Sequence, residues 1–173
     1  MKQEMTEETR AFLKEREDRF GGKIVWRGFS LFYGDNNGNL REHGVFVFQI
    51  DNRFYYEDFE TTPRFLGLPI FSDKKQKSDY VKFEGSFRAI DVRSIDYVKK
   101  SSAIDLIKGR TQKVKTASVL GRLLGEVVMS VEFDDGSIKF FEFAGNEFRQ
   151  LVEMAITKYK WSKTVYDKEN GIK

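Results

Sequence analysis

The segment VVMSVEFDDGSIKFFEFAGNEFRQLVEMAITKY, residues 127–159, spells out a strand, a tight turn, a second strand and a helix in immediate succession. Val127, Met129, Val131 and Phe133 alternate with Val128, Ser130 and Glu132, the two-residue period of a strand that buries one face. Asp134-Asp135-Gly136-Ser137 supplies the turn. Its Asp-Gly pair accepts the positive φ of a two-residue type I′ loop, a register that sets Ile138 opposite Phe133 and Phe140 opposite Val131. Beyond Phe143 the period lengthens to 3.6. Asn146 stands as N-cap, and Phe148, Leu151, Val152, Ala155, Ile156 and Tyr159 share one helical stripe. That stripe is expected to lie on the sheet, where its side chains would contribute on the order of 10 kcal/mol, an upper bound because unfolded chains already bury some surface.

Working outward, residues 23–33 read as a first strand with a bulge near Gly28, followed by turn chemistry at Gly34-Asp35-Asn36-Asn37-Gly38-Asn39. Residues 44–50 and 53–59 form the next two strands around Asp51-Asn52, in an antiparallel meander. Residues 60–79 show no clear period and hold Pro63, Pro69 and the run Lys74-Lys75-Gln76-Lys77. Strand character returns over 80–90, Asp91-Val92-Arg93-Ser94-Ile95 reads as one tight turn, and 96–102 is the fifth strand. Before all of these, residues 6–20 carry good helix formers with Glu7 and Glu8 early, and Gly21-Gly22 closes them. The apolar face of that helix is thin, so it is expected to pack peripherally or on a partner. The division that follows is a helix in 1–22, one domain over 23–160 with an insert at 103–125, and a polar tail, 161–173, that frays.

Seventeen Phe and seven Tyr against two Pro fit a strand-rich chain. With no cysteine, disulfides and thiolate chemistry are excluded. The polar opening residues lack the apolar core of a secretory signal, and no run approaches the roughly 18 apolar residues of a membrane span, so a soluble cytoplasmic protein is expected. His43, the one histidine, adjoins Glu42, which could orient an imidazole, but neighbouring strand residues face opposite ways, so it is read as a surface or edge histidine. The run Asp35 to Asn39 begins like a calcium loop and fails at Leu40 and Phe46, where such a loop needs Gly and a bidentate Glu. Asp134 and Asp135 serve the hairpin backbone rather than a cation, and Gly121 and Gly125 lack the Gly-Lys-Ser/Thr of a phosphate loop. The chain is therefore read as non-enzymatic, with no cofactor or metal. A net charge of +3 is a weak footprint for nucleic acid.

The insert at 103–125 is the feature a plain meander leaves unexplained, since a hairpin needs two to five loop residues. Five cations (Lys108, Arg110, Lys113, Lys115 and Arg122) face one carboxylate, Asp105, and lead into the apolar run holding Val119, Leu120, Leu123 and Leu124. Three readings stay open. The insert is a helical flap over the domain's own surface, or it docks peripherally on an anionic lipid surface through its cations and leucines, or those leucines meet a protein partner or a second copy of the chain.

Seven strands, a short turn before the fifth, a tight sixth-to-seventh hairpin and one amphipathic C-terminal helix resemble the pleckstrin-homology-like superfold, in particular its GRAM and bacterial members. Ile90 to Tyr97 and Val127 to Tyr159 carry the resemblance, which spans roughly 23–160. It implies a mostly β (β+α) fold: a seven-stranded antiparallel barrel of two near-orthogonal sheets, a C-terminal capping helix and here an extra N-terminal helix. The resemblance also implies that the loops at 35–39, 74–77 and 134–135 gather at the open end. Members that bind phosphoinositides carry a Lys and an Arg-x-Arg around the first hairpin. This chain departs from that pattern, with Asp35, three Asn and only Arg41 beside Glu42.

Overall fold

The structure, a computed structural model, describes residues 6–58, 64–65, 68–69, 82–117, 127–142 and 147–169; within these, the side chains of 41–43, 64–65, 68–69, 159–160, 162–167 and 169 lie outside the description. In chain order the elements are α1 (Glu7–Phe20), β1 (Ile24–Asp35), β2 (Leu40–Ile50), β3 (Arg53–Asp58), β4 (Arg64–Phe65), β5 (Leu68–Pro69), β6 (Glu84–Arg88), β7 (Val92–Lys99), α2 (Lys100–Ile107), β8 (Val127–Phe133), β9 (Ile138–Glu142) and α3 (Glu147–Glu169). Seven strands form one antiparallel sheet in the order β6-β3-β2-β1-β9-β8-β7, while β4 and β5 make a separate short pair.

The sheet does not close into the barrel the resemblance implies. Among the described residues no ladder joins its edge strands β6 and β7, which are linked only through a 3-10 turn at Ala89–Asp91. It nonetheless curls far enough for inner-face rings from distant strands to meet. Phe87 on β6 sits 5.2 Å from Phe133 on β8, and Phe32 on β1 lies against Tyr56 and Phe141. One core therefore spans the sheet from Phe54 and Phe87 to Val92, Ile95, Met129 and Val131. α3 plugs the open end: Phe148 reaches Trp26, Phe54 and Phe87, and Val152 and Ala155 are buried behind it.

Several local expectations shift. The β8–β9 connection is a three-residue loop, with Phe133 N–H donating to Ser137 O and Gly136 N–H donating to Phe133 O. Gly136 has φ +81°, but Asp135 is not left-handed, so the turn lacks the second positive φ of type I′ and has instead the type I turn plus bulge suited to three residues. The register moves by one: Met129 faces Phe141, Ser130 faces Phe140 and Val131 faces Lys139. Phe140 thereby passes to the outer face, and Phe141 takes the inner one. The bulges of β1 lie at Val25 and Tyr33 rather than at Gly28. The tight turn ahead of the fifth strand of the sheet is only Ala89–Asp91, and Val92 to Ile95 already belong to that strand. Helix α3 runs to Glu169, through most of the expected tail; its Asn146 cap lies outside the described residues.

The outer face is apolar too. α1 covers β2 and β3 there, with Phe12, Leu13 and Phe20 packed on Phe46, Phe48 and Tyr55. Its docking also encloses a charge. Glu57 on β3, its side chain 3% exposed, accepts a 2.6 Å hydrogen bond from Arg16 Nε. The second oxygen, Oε2, lies 2.6 Å from Lys82 Nζ, an ion pair without hydrogen-bond alignment, and 3.8 Å from Arg19 Nη1. On the inner face, burial pushes the Tyr56 phenol up to about 12, and its ring crosses Gly85, where a Cβ would collide with the hydroxyl oxygen.

Two expected outcomes follow from this packing, both read from urea melts. Phe148→Ala should cost about 3–5 kcal/mol, as for other buried aromatics, whereas Met154→Ala, on the exposed side of the same helix, should cost under about 0.5. Arg16→Ala should cost about 3 kcal/mol because it strips a buried carboxylate of its aligned partner, while Arg19→Ala, whose side chain is 44% exposed, should cost at most about 1.

Candidate functional site

β7 runs into α2 without a loop. Lys99 is the N-cap and makes no side-chain capping bond. Ala103, Leu106 and Ile107 turn inward onto Tyr33, Val98, Val128 and Phe140, so α2 covers a second part of the outer face, while Phe29 beside Phe46 stays exposed. Its first turn is tied down by Lys100, whose Nζ lies 3.9 Å from Glu142 Oε2 and 4.6 Å over the Tyr33 ring. The Tyr33 hydroxyl donates to Glu142, and burial together with that bond raises its pKa above the usual phenol value.

After α2 the chain turns back as an extended strap along the outer edge of β7. Lys99 N–H donates to Lys115 O at 3.0 Å, Ala117 N–H donates to Tyr97 O at 2.8 Å, and Val98 pairs antiparallel with Thr116. Thr111 fixes the entry by accepting from Lys113 N–H, and Ser102 Oγ accepts from Lys115 N–H. Along the strap Val114 packs on the α2 cluster and Ala117 is buried, while Lys113, Lys115 and Thr116 are exposed. The described half of the insert therefore packs on the domain's own sheet as α2 and an extended strap rather than as the helical flap expected of it. It seals an edge that would otherwise present unpaired backbone groups.

Lys113 and Lys115 meet Lys99 around a hollow of about 290 Å³, lined also by Ser101, Ser102, Asp105 and Thr111. Among the described residues Lys99, Lys108, Lys113 and Lys115 make no ion pair, and Asp105 already has Arg110 Nη1 at 3.5 Å. Lys108 and Arg110, also exposed, sit past the far end of α2. The remaining expected contact residues, Val119, Leu120, Arg122, Leu123 and Leu124, lie outside the described residues. Lys99, Ser101 and Ser102 escape the sequence reading because it starts the insert at residue 103, although a lysine closing a strand is a visible signal.

A second hollow, of about 340 Å³, lies between β6, the 3-10 turn and the β8–β9 loop, with Arg53, Arg88, Asp91, Asp134, Asp135 and Lys139 around Phe133. Its charges are largely engaged locally. Arg88 grips Asp91 through two hydrogen bonds and holds that carboxyl below its usual range, Arg53 donates to Ser86 Oγ, and Lys139 lies over Phe133. Asp135 accepts from the Ser137 hydroxyl and amide, which lowers its pKa. The β1–β2 loop joins this end, since Asn36 donates to Gly136 O and accepts from Ile138 N–H; residues 74–77 lie outside the described residues. Asp35 closes its own turn by accepting from Asn37 and Asn39. Among the described residues no three His, Asp or Glu side chains are placed to share a metal ion.

Comparison with family models finds no match to this chain, and neither does a search of curated proteins. No helix of the described residues is long and apolar enough to cross a membrane.

If the strap is held by the edge of β7 and by its two inward side chains, Val114→Asp combined with Ala117→Asp should detach it. The amides of Lys99 and Ala117 should then exchange at least about tenfold faster, the equivalent of 1.4 kcal/mol of lost local protection. Amides in β1 and β2 should keep their exchange rates.

Proposed function

We propose that this chain is a non-enzymatic binding module of the pleckstrin-homology-like, GRAM-like kind that docks peripherally on anionic membrane surface through the insert. The fold side of this reading is supported by the seven-stranded meander, the corner before β7, the short β8–β9 hairpin and the helix that packs at that corner. The observation that carries the functional side is the outward display of Lys108, Lys113 and Lys115 with Lys99, none of them in an ion pair among the described residues. Each cation held near an anionic leaflet is worth about 1 kcal/mol, so the insert supports weak, reversible docking.

A second reading, a protein-interaction or self-assembly module, draws on α3. Met154 and Trp161 are 59% and 68% exposed there, on one side of the helix with Thr157 and Lys158. α1 no longer serves that reading, because its apolar residues are used on the sheet.

The unmodified protein should float with phosphatidylserine vesicles at low salt and lose binding steeply as the Debye length falls toward about 8 Å at physiological ionic strength. Lys113→Glu with Lys115→Glu should abolish flotation with little change in melting temperature. No flotation at low salt, together with a concentration-dependent dimer in sedimentation that Trp161→Ala dissolves, would decide for the second reading.

A further inference from the structure

We infer that the hollow bordered by Lys99, Lys113 and Lys115 is a site for one phosphomonoester group, presented by a lipid headgroup; this rests on the membrane reading and narrows it to a ligand class. The three lysines come from two separate stretches of chain, the end of β7 and the strap, and line one concavity of about 290 Å³. They repel one another. A partner that neutralises them is absent among the described residues, since Asp105, the one carboxylate in the lining, already faces Arg110.

The remaining lining groups fit the same ligand. Ser101 and Ser102 bring hydroxyls from the first turn of α2, and that turn has no side-chain cap competing for its amides. A phosphomonoester carries a charge near −2 and three strong acceptor oxygens, which suits several lysines acting as point charges with hydroxyl donors between them. A carboxylate offers one charge and two oxygens. A phosphodiester also carries a single charge. The hollow therefore favours a terminal phosphate over the phosphoserine headgroup at equal surface charge.

The strap makes this site conditional on the sheet. Lys113 and Lys115 are placed by Thr111, by Ser102 and by the backbone bond from Lys99, so two of the three cations are positioned by the edge they cover. Ser102 thus accepts a backbone bond with its oxygen while its hydroxyl hydrogen is left to donate.

The test compares flotation of the full chain on phosphatidic acid and phosphatidylserine vesicles matched in surface charge, alongside amide shifts with glycerol phosphate. Phosphatidic acid should be preferred about tenfold. Lys99→Gln with Lys113→Gln should erase the preference, whereas Lys108→Gln with Arg110→Gln should weaken both vesicle types alike and leave it intact. Glycerol phosphate should shift the amides of Ser101, Ser102 and Lys115. Equal binding to the two vesicle types, or a preference lost equally with either pair of substitutions, overturns the phosphate site and leaves the membrane reading standing. Glycerol phosphate shifts without vesicle binding overturn the lipid source and the membrane reading together.

Discussion

Val45, Phe46, Val47 and Phe48 are consecutive and all buried, so β2 has no face to give to water. A strand sends successive side chains to opposite faces, and four in a row inside require cover on both. The curl of the sheet and α3 cover the inner face. On the outer face the cover is divided: α1 takes Phe46 and Phe48, and α2 takes Tyr33, Val128 and Phe140. The helix before the meander and the one inside the insert are therefore parts of a two-sided sheet rather than additions to it. The same requirement explains how a helix with as thin an apolar face as α1 can dock. Its three apolar residues are assisted by Arg16, which spans from the Phe12 ring to the buried Glu57.

The sequence makes the strands and the C-terminal helix legible because their periods are long and uninterrupted. It misleads where a pattern is read as one-sided. Met129, Val131 and Phe133 do point inward, but Val128 just before them is as deeply buried, and the adjacent pair Phe140-Phe141 already signals apolar demand on both faces. The hairpin register goes wrong for a different reason. Asp-Gly is compatible with two loop lengths, and the choice rests on one dihedral, that of Asp135, which no residue identity dictates. Closure of the sheet is equally invisible, because it depends on what β6 and β7 meet rather than on their own patterns.

For the candidate site the sequence shows charge but not placement. Lys113 and Lys115 are visible as cations, yet what groups them with Lys99 is the backbone pairing of the strap, which leaves no regular period in 113–117 to be read. Glu57 is hidden more completely. A glutamate in a strand reads as solvent-facing, and its burial becomes intelligible only when α1 brings Arg16 and Arg19 across it.

The strap divides labour within a few residues. Its main chain pairs with the edge of β7, Val114 and Ala117 anchor it, and Lys113, Lys115 and Thr116 are left to solvent. Main-chain pairing is indifferent to residue type apart from proline, so the outward positions form a variable register on a fixed frame. Charge there can be raised, lowered or reversed over successive generations while the fold beneath keeps its identity, which makes this border the cheapest place in the molecule for a new binding preference to arise.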